Sequence, residues 1–198
     1  MRTVSIDYDV YKYQELSEQA KEKAKEWYLE GKDAYWFKEC CEEILRCEFP
    51  NSKLEVQFSL SYSQGDGLNI YGSIDLLELW NKLDKSKYTD KEKKFMEYAL
   101  KGYSMLYDML QNWRHGYCMS SSWDFTENII SDMEYDNVRG IKYDVLEKFN
   151  DDCKEYMEKL CSDFERDGYS YFYEVDDDEM IDMCEANEWE FTADGEIF

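Results

Sequence analysis

The chain is poor in the residues from which most catalytic and nucleic-acid-binding sites are built. Its 198 residues include one histidine, His115, and one proline, Pro50. A single imidazole limits any catalytic triad or histidine-based metal site to that one group. His115 follows the apolar pattern at Trp113 and Arg114, so a capping or surface role at a helix C-terminus is the simpler reading. Basic residues are outnumbered: 23 Lys plus Arg face 46 Asp plus Glu, for a net charge of −23. Such a chain does not track nucleic-acid phosphates by itself, because that binding rests on Lys and Arg displacing counterions. An anionic membrane surface is excluded on the same ground. No apolar run approaches the ~18 residues that span a bilayer. Asp7 stands where the apolar core of a signal peptide would lie. Nucleotide-binding, nucleophile-elbow and zinc-protease motifs are missing as well. The expectation is a soluble cytosolic protein with no cofactor, no metal and no direct contact with nucleic acid or membrane.

What the chain does have is aromatic side chains, at 17% of residues. Acidic disordered tails lack them, so the charge belongs to a folded protein. Seven cysteines stand at 40, 41, 47, 118, 153, 161 and 184. An odd count without Cys-x-x-Cys points to reduced thiols. Cys40, Cys41 and Cys47 share an amphipathic pattern with Trp36, Phe37, Ile44 and Leu45, which reads as buried structural thiols.

Charge is uneven along the chain. Residues 1–126 hold 22 acids and 17 bases, whereas residues 127–198 hold 24 acids and 6 bases. The expected organisation is therefore an α+β module over 1–126 and an acidic helical segment over 127–198, packed together as one compact unit. Val4, Ile6 and Tyr8 alternate as a short strand. Ser17 caps a helix that Gly31 ends. A second helix spans 33–47, and Pro50–Ser52 is a turn. Leu54, Val56, Phe58, Leu60 and Tyr62 alternate, and with Leu68 to Ile74 they make a hairpin over 54–74. Thr89 and Glu92 form a capping box, and the apolar spacing from Phe95 to Trp113 predicts a long helix over 89–113. Tyr117 to Phe125 alternate as a strand. Helices are expected at 127–135, at 144–166, and after Asp177 or Asp178, with a last short strand at Trp189 and Phe191. The fold class is α+β, a small and mainly antiparallel sheet packed with several helices, the acidic C-terminal third being rich in helix.

Two kinds of candidate site emerge. The loop Ser63-Gln64-Gly65-Asp66-Gly67 is either a polar site around Asp66, usable by a metal-dependent or hydrolytic enzyme, or a turn with positive φ at Gly65 or Gly67 and Asp66 bonded to its own backbone. The other candidate is the acidic surface itself. On the 144–166 helix, Asp151, Asp152, Glu155, Glu158 and Asp163 lie largely off the apolar stripe. Neighbours three or four apart stand ~5–6 Å apart, a scale comparable with phosphates along one DNA strand. Asp176, Asp177, Asp178 and Glu179 fit an acidic helix N-terminus, with Asp182 one turn on. These ten acids are the candidate partner-binding residues, against the plainer reading of a solvated face.

Three segments carry a resemblance. Tyr13-Gln14-Glu15-Leu16-Ser17-Glu18-Gln19-Ala20-Lys21, the hairpin Tyr62-Ser63-Gln64-Gly65-Asp66-Gly67, and Ala186-Asn187-Glu188-Trp189-Glu190-Phe191-Thr192-Ala193-Asp194-Gly195 together resemble a broad family of phage and prophage proteins, some labelled antitoxin-like. The resemblance transfers no catalytic residue. It implies a mobile-element protein acting in a bacterial cytosol. By analogy of class, small acidic phage proteins include antirestriction and anti-CRISPR inhibitors, several of which imitate DNA. The leading expectation is a non-enzymatic inhibitor that binds a basic, nucleic-acid-binding protein or ribonucleoprotein of the host by charge complementarity. The alternatives are an antitoxin-like or other accessory protein on a different basic partner, and an enzyme using Asp66.

Overall fold

The structure, a computed structural model, describes residues 9–103, 106–109 and 123–198. Among them are seven α-helices and a three-stranded antiparallel sheet, an α+β fold. The chain divides into two compact units. The central unit is Tyr35–Arg166, and the terminal unit joins the residues through Ala34 to Asp167–Phe198. The division expected at residue 126 followed charge. Compaction follows apolar side chains instead, and Ile129, Met133, Val145, Leu146 and Phe149 are all buried within the central unit.

The central unit is built on the hairpin. Strand β1 (Lys53–Ser59) pairs antiparallel with β2 (Gly67–Asp75), Val56 opposite Ile70. Alternation sends Leu54, Val56, Leu68, Ile70 and Ile74 into the core. Helix α2 (Ala34–Glu48) protects the free edge of β1, because Glu42 accepts the Val56 N–H at 3.0 Å. The turn at Pro50 is held by Glu78, which accepts from the backbone N–H of Asn51 at 2.9 Å and the Ser52 hydroxyl at 2.8 Å. Glu78 belongs to α3 (Leu76–Lys82), a helix absent from the sequence reading. Asp75 ends β2 and caps α3 at once by accepting the Leu77 N–H at 2.8 Å.

The expected helix over 89–113 is shorter. Helix α4 (Asp90–Gly102) has the Thr89–Glu92 capping box, then gives way to strand β3 (Leu106–Met109) beside β2, with Tyr107 opposite Ile74. Apolar residues every three or four positions suited a helix. A four-residue strand leaves too short a pattern to compete, and the open edge of β2 decides the matter. Leu106, placed on the apolar stripe by the helical reading, is 55% exposed. Residues 110–113, the strand at Val4–Tyr8, His115, Cys118 and most of the strand at 117–125 lie outside the described residues. Trp123 and Phe125 are buried but lie outside any strand, before α5 (Glu127–Tyr135).

Helix α6 (Tyr143–Tyr173) is longer than the expected 144–166. It buries Phe149, Cys153, Met157 and Cys161. Burial pushes the Cys161 thiol up to about 12, against the lowering effect of a backbone hydrogen bond from Ile70. The thiols at 153, 161 and 184 are buried, as is Cys41. Cys40 is half-buried and Cys47 exposed, which corrects the reading of that trio as buried; the helix turns Cys47 onto its outer face.

The terminal unit joins the two ends of the chain. Ser17 caps α1 (Glu18–Glu30) by accepting the Ala20 N–H at 3.3 Å, and Gly31 closes the helix. Asp176 caps α7 (Asp177–Asn187) by accepting the Glu179 N–H at 2.8 Å. The cap is one residue earlier than expected. Tyr13, Leu16, Ala20 and Ala24 pack with Met180, Cys184 and Phe191. Phe191 makes bridges to Tyr11 and to Ile197, in place of a full last strand. Around it, Trp27 meets Trp189 edge-on with ring centroids 5.0 Å apart.

The small side chain of Ala20 lets the last turn of the chain come close. Gly195 has φ of +84°, and a Cβ there would stand 2.1 Å from the Ala20 carbonyl oxygen. Gly195→Ala is expected to destabilise the terminal unit by at least about 1 kcal/mol, since it combines strain at positive φ with a backbone collision. Hydrogen exchange should show faster opening at Ala24 and Cys184, with the amides of β1 and β2 unchanged.

Candidate partner-binding surface

The ten candidate acids separate between the two units. In the central unit, Asp152 is half-buried and accepts the Tyr88 hydroxyl at 2.6 Å and the Lys87 ammonium at 3.1 Å. Lys87 also reaches Glu155 at 3.5 Å, and Arg166 reaches Asp163 at 2.9 Å. Asp151 and Glu158 are exposed and make no ion pair among the described residues. Asp151, Glu155 and Glu158 follow the four-and-three spacing of one helix face.

In the terminal unit the acids sort into two groups. Asp176 is engaged as a helix cap. Asp177 accepts the Tyr13 hydroxyl at 2.8 Å and Lys25 at 2.7 Å. Glu179 receives the Tyr28 hydroxyl at 3.0 Å and Lys32 at 3.2 Å. Downstream, Lys23 binds Asp194 at 3.3 Å and Glu196 at 2.9 Å. The lysines of α1 and Lys32 just beyond it therefore neutralise one set of carboxylates. Asp178 and Asp182 belong to the other set. Both are exposed and lack an ion partner among the described residues.

Three further acids join that second set: Glu185, Glu188 and Glu190 are exposed and equally unpaired. Sequence reasoning passed over them. The signal was available, because residues 167–198 contain twelve acids and neither lysine nor arginine. Asp178, Asp182 and Glu185 recur at the four-and-three spacing that puts them on one face of α7. Met180 and Cys184 occupy its buried face. A cavity of about 280 Å³ opens beside the end of α7, lined by Tyr13, Cys184, Glu185, Glu188, Trp189 and Glu190 among others.

The carboxylates' environments differ. Hydrogen bonds from Lys25 and Tyr13 hold Asp177 below the ordinary carboxylate range. Burial, then the bond to Asp177, pushes the Tyr13 phenol well up. Asp66 in the hairpin loop is different again. Desolvation alone would raise its pKa. The N–H groups of Ser63 and Ser61, at 2.8 and 2.6 Å, and the hydroxyls of Ser63 and Ser59 outweigh it and hold the carboxyl well below its usual range. A carboxylate so reluctant to take a proton is a poor general base. The arrangement fastens a turn whose positive φ is at Gly65, +97°. Ser61 is drawn into that loop, so β1 ends at Ser59 rather than at Tyr62. Among the described residues, no group of three or more His, Cys, Asp or Glu could hold a metal ion. No described helix is long and apolar enough to cross a membrane.

Two outcomes test this geometry. Folding holds Tyr13 protonated above its ordinary value of 10.0, so its contribution to stability is complete below that pH and is lost as pH rises through the folded-state value. Asp177 acts oppositely: its contribution is present above its ordinary 3.8 and is lost as pH falls through the lowered folded-state value. Tyr13→Phe should cost about 1 kcal/mol at neutral pH and remove Tyr13's share of the alkaline loss, read from exchange at the Cys184 amide across pH. The second outcome concerns Glu188, the C-cap of α7, which sits at φ 56°, ψ 36°, where glycine is the cheaper residue. Glu188→Gly should stabilise the terminal unit by roughly 0.5–1 kcal/mol, read as slower exchange at the same amide.

No family model, no curated protein and no solved structure matches the chain.

Proposed function

We propose that the protein is a non-enzymatic binding protein of a phage or prophage. It engages a basic, nucleic-acid-binding protein or ribonucleoprotein in the bacterial host cytosol and inhibits it in the manner of an anti-CRISPR protein. One observation carries the reading: Asp178, Asp182, Glu185, Glu188 and Glu190 are exposed, unpaired among the described residues, and fixed to a packed core. Lys23, Lys25 and Lys32 are engaged with Asp177, Glu179, Asp194 and Glu196, and Lys12, beside Glu185, Glu188 and Glu190, sets one positive charge against three negative ones. A surface whose acids outnumber the cations left to it offers its remaining charge to a partner.

The physical mechanism is charge complementarity. Unpaired carboxylates on a fixed scaffold steer a Lys/Arg-lined surface into contact and raise the association rate. Asp178, Asp182 and Glu185 stand about 5 Å apart along the helix axis, against roughly 3.4 Å per phosphate along one strand of duplex DNA. The row is sparser than DNA, so it occupies a DNA-binding channel through its sign and shape. Two of the segments that resemble phage proteins, Tyr13–Lys21 and Ala186–Gly195, fall in this same unit, which supports placing the activity there.

The test uses the full chain as bait in bacterial lysate, with proteins identified by mass spectrometry. A variant with Asp178→Asn, Asp182→Asn, Glu185→Gln, Glu188→Gln and Glu190→Gln is the control. The captured partner should bind at least about tenfold more slowly to the variant, weaken with salt, and be displaced by duplex DNA or by its own nucleic acid. Capture that is indifferent to neutralisation, to salt and to occupancy of the partner's nucleic-acid site overturns the proposal.

A further inference from the structure

The carboxylates on the outer face of α7 account for long-range attraction, but they do not select one cationic group over another. The cavity at the end of the same helix has the chemistry for that. Its volume, about 280 Å³, is below the usual range of small-molecule sites, about 300–1,000 Å³. It suits one side chain. Trp189 forms part of its wall while held in the core by edge contacts with Trp27, at 5.0 Å, and Tyr28, at 6.1 Å. The indole is therefore fixed before any ligand arrives. Tyr13 is 1% exposed and its hydroxyl is committed to Asp177. Cys184 is 6% exposed, and its thiol has no hydrogen-bond partner among the described residues. Aromatic and thiol groups thus supply an apolar lining, and Glu185, Glu188 and Glu190 supply acceptors that make no ion pair among the described residues. Lys12 also lines the cavity and makes no ion pair among the described residues, so one cation stands against three carboxylates, which remain in excess.

We propose that this cavity is the subsite for a guanidinium group, an arginine side chain presented by the basic partner. The proposal rests on the binding function argued above and names the group that function recognises. Carboxylates only accept, so the occupant must bring donors and positive charge. Guanidinium is flat, weakly hydrated and stacks on an indole, and its five N–H groups form a fork that matches carboxylates. A lysine ammonium is more strongly hydrated and gives up more on leaving water for an apolar lining. An arginine anchored here would be the energetic centre of the interface, with the acids of α7 as its charged surround.

The experiment needs no partner. The isotope-labelled full chain is titrated with N-acetyl-arginine amide, with the corresponding citrulline amide as the neutral isostere, and with N-acetyl-lysine amide. The Trp189 indole N–H and the Glu188 amide should shift saturably with the arginine compound. Arginine should bind at least about tenfold more tightly than citrulline and more tightly than lysine. The double variant Glu185→Gln, Glu188→Gln should lose the preference while the amides of Ala20 and Phe191 stay in place, which shows that the unit is folded. Equal responses to arginine and citrulline overturn the subsite. So does an arginine response spread over Asp178 and Asp182 with no distinct midpoint at Trp189. If the arginine probe fails while partner capture stays charge-dependent, the subsite is wrong and the binding function stands. If the probe binds at Trp189 while capture is indifferent to charge, the proposed function fails and the subsite does not.

Discussion

The terminal unit depends on a charge constraint that one segment cannot meet alone. Residues 167–198 have twelve acids and no lysine or arginine, so folding gathers like charges. The compensating cations come from the other end of the chain. Lys23 and Lys25, with Lys32 just beyond the helix, reach Asp194, Glu196, Asp177 and Glu179. Lys25 and Lys32 are pressed into the packing, with side chains 19% and 12% exposed. Exposed ion pairs are individually weak, and here they work with an apolar core. Phe191, fully buried, brings Tyr11 and Ile197 into pairing, and Trp27 closes over it. Apolar contact holds the two chain ends together, and the lysines limit what that contact has to overcome.

Neutralisation is partial, and its pattern separates structural acids from available ones. Asp177 binds Lys25 of α1, and Glu179 binds Lys32 just beyond that helix. Asp178, Asp182 and Glu185 lie on the other side of α7 and bind neither lysine. The helical period makes this division, since neighbours in sequence point apart and residues three or four along point together. The run Asp176-Asp177-Asp178-Glu179 therefore contains a cap, two ion-pair members and one outward acid. An acidic run has no single role, and counting its charges says little until the helix is placed.

The legible part of the fold was the part set by neighbours in sequence. The Ser17 cap, the Gly31 stop, the Thr89–Glu92 box and the alternation from Leu54 onward all state local geometry, and each corresponds to an element observed. What escaped was set by distant partners. Leu106–Met109 form a strand because β2 has an edge to fill. Val56 has its N–H covered by Glu42, a contact no periodicity announces. The unit boundary escaped for a similar reason: net charge by segment describes decoration, whereas Phe149 and Phe164 in the central unit and Phe191 in the terminal unit decide compaction. Among the candidate residues, composition showed only where acids are dense along the chain. It could not tell Asp177, bound to Tyr13, from Asp178, which has no ion partner among the described residues, because that difference depends on which face α1 covers.

Charge and aromatic content, the two unusual features of the sequence, turn out to be linked. An acidic surface without a rigid base would attract cations at long range and keep no geometry at contact. Trp189 shows how the link works, because its ring contributes to the core with Trp27 and Tyr28 and to the wall of the cavity beside Glu188. The Glu188 backbone adopts a conformation that a glycine would take at less cost. In the proposed subsite, a carboxylate kept at a strained helix end, next to an indole already fixed by packing, is preorganised for a cation. Long-range steering weakens with salt over a Debye length of about 8 Å at physiological ionic strength, whereas contact within a partly enclosed aromatic wall weakens less. Under the proposed function the two features divide the work: the outward acids of α7 bring a basic partner near, and the aromatic core turns proximity into a defined pose.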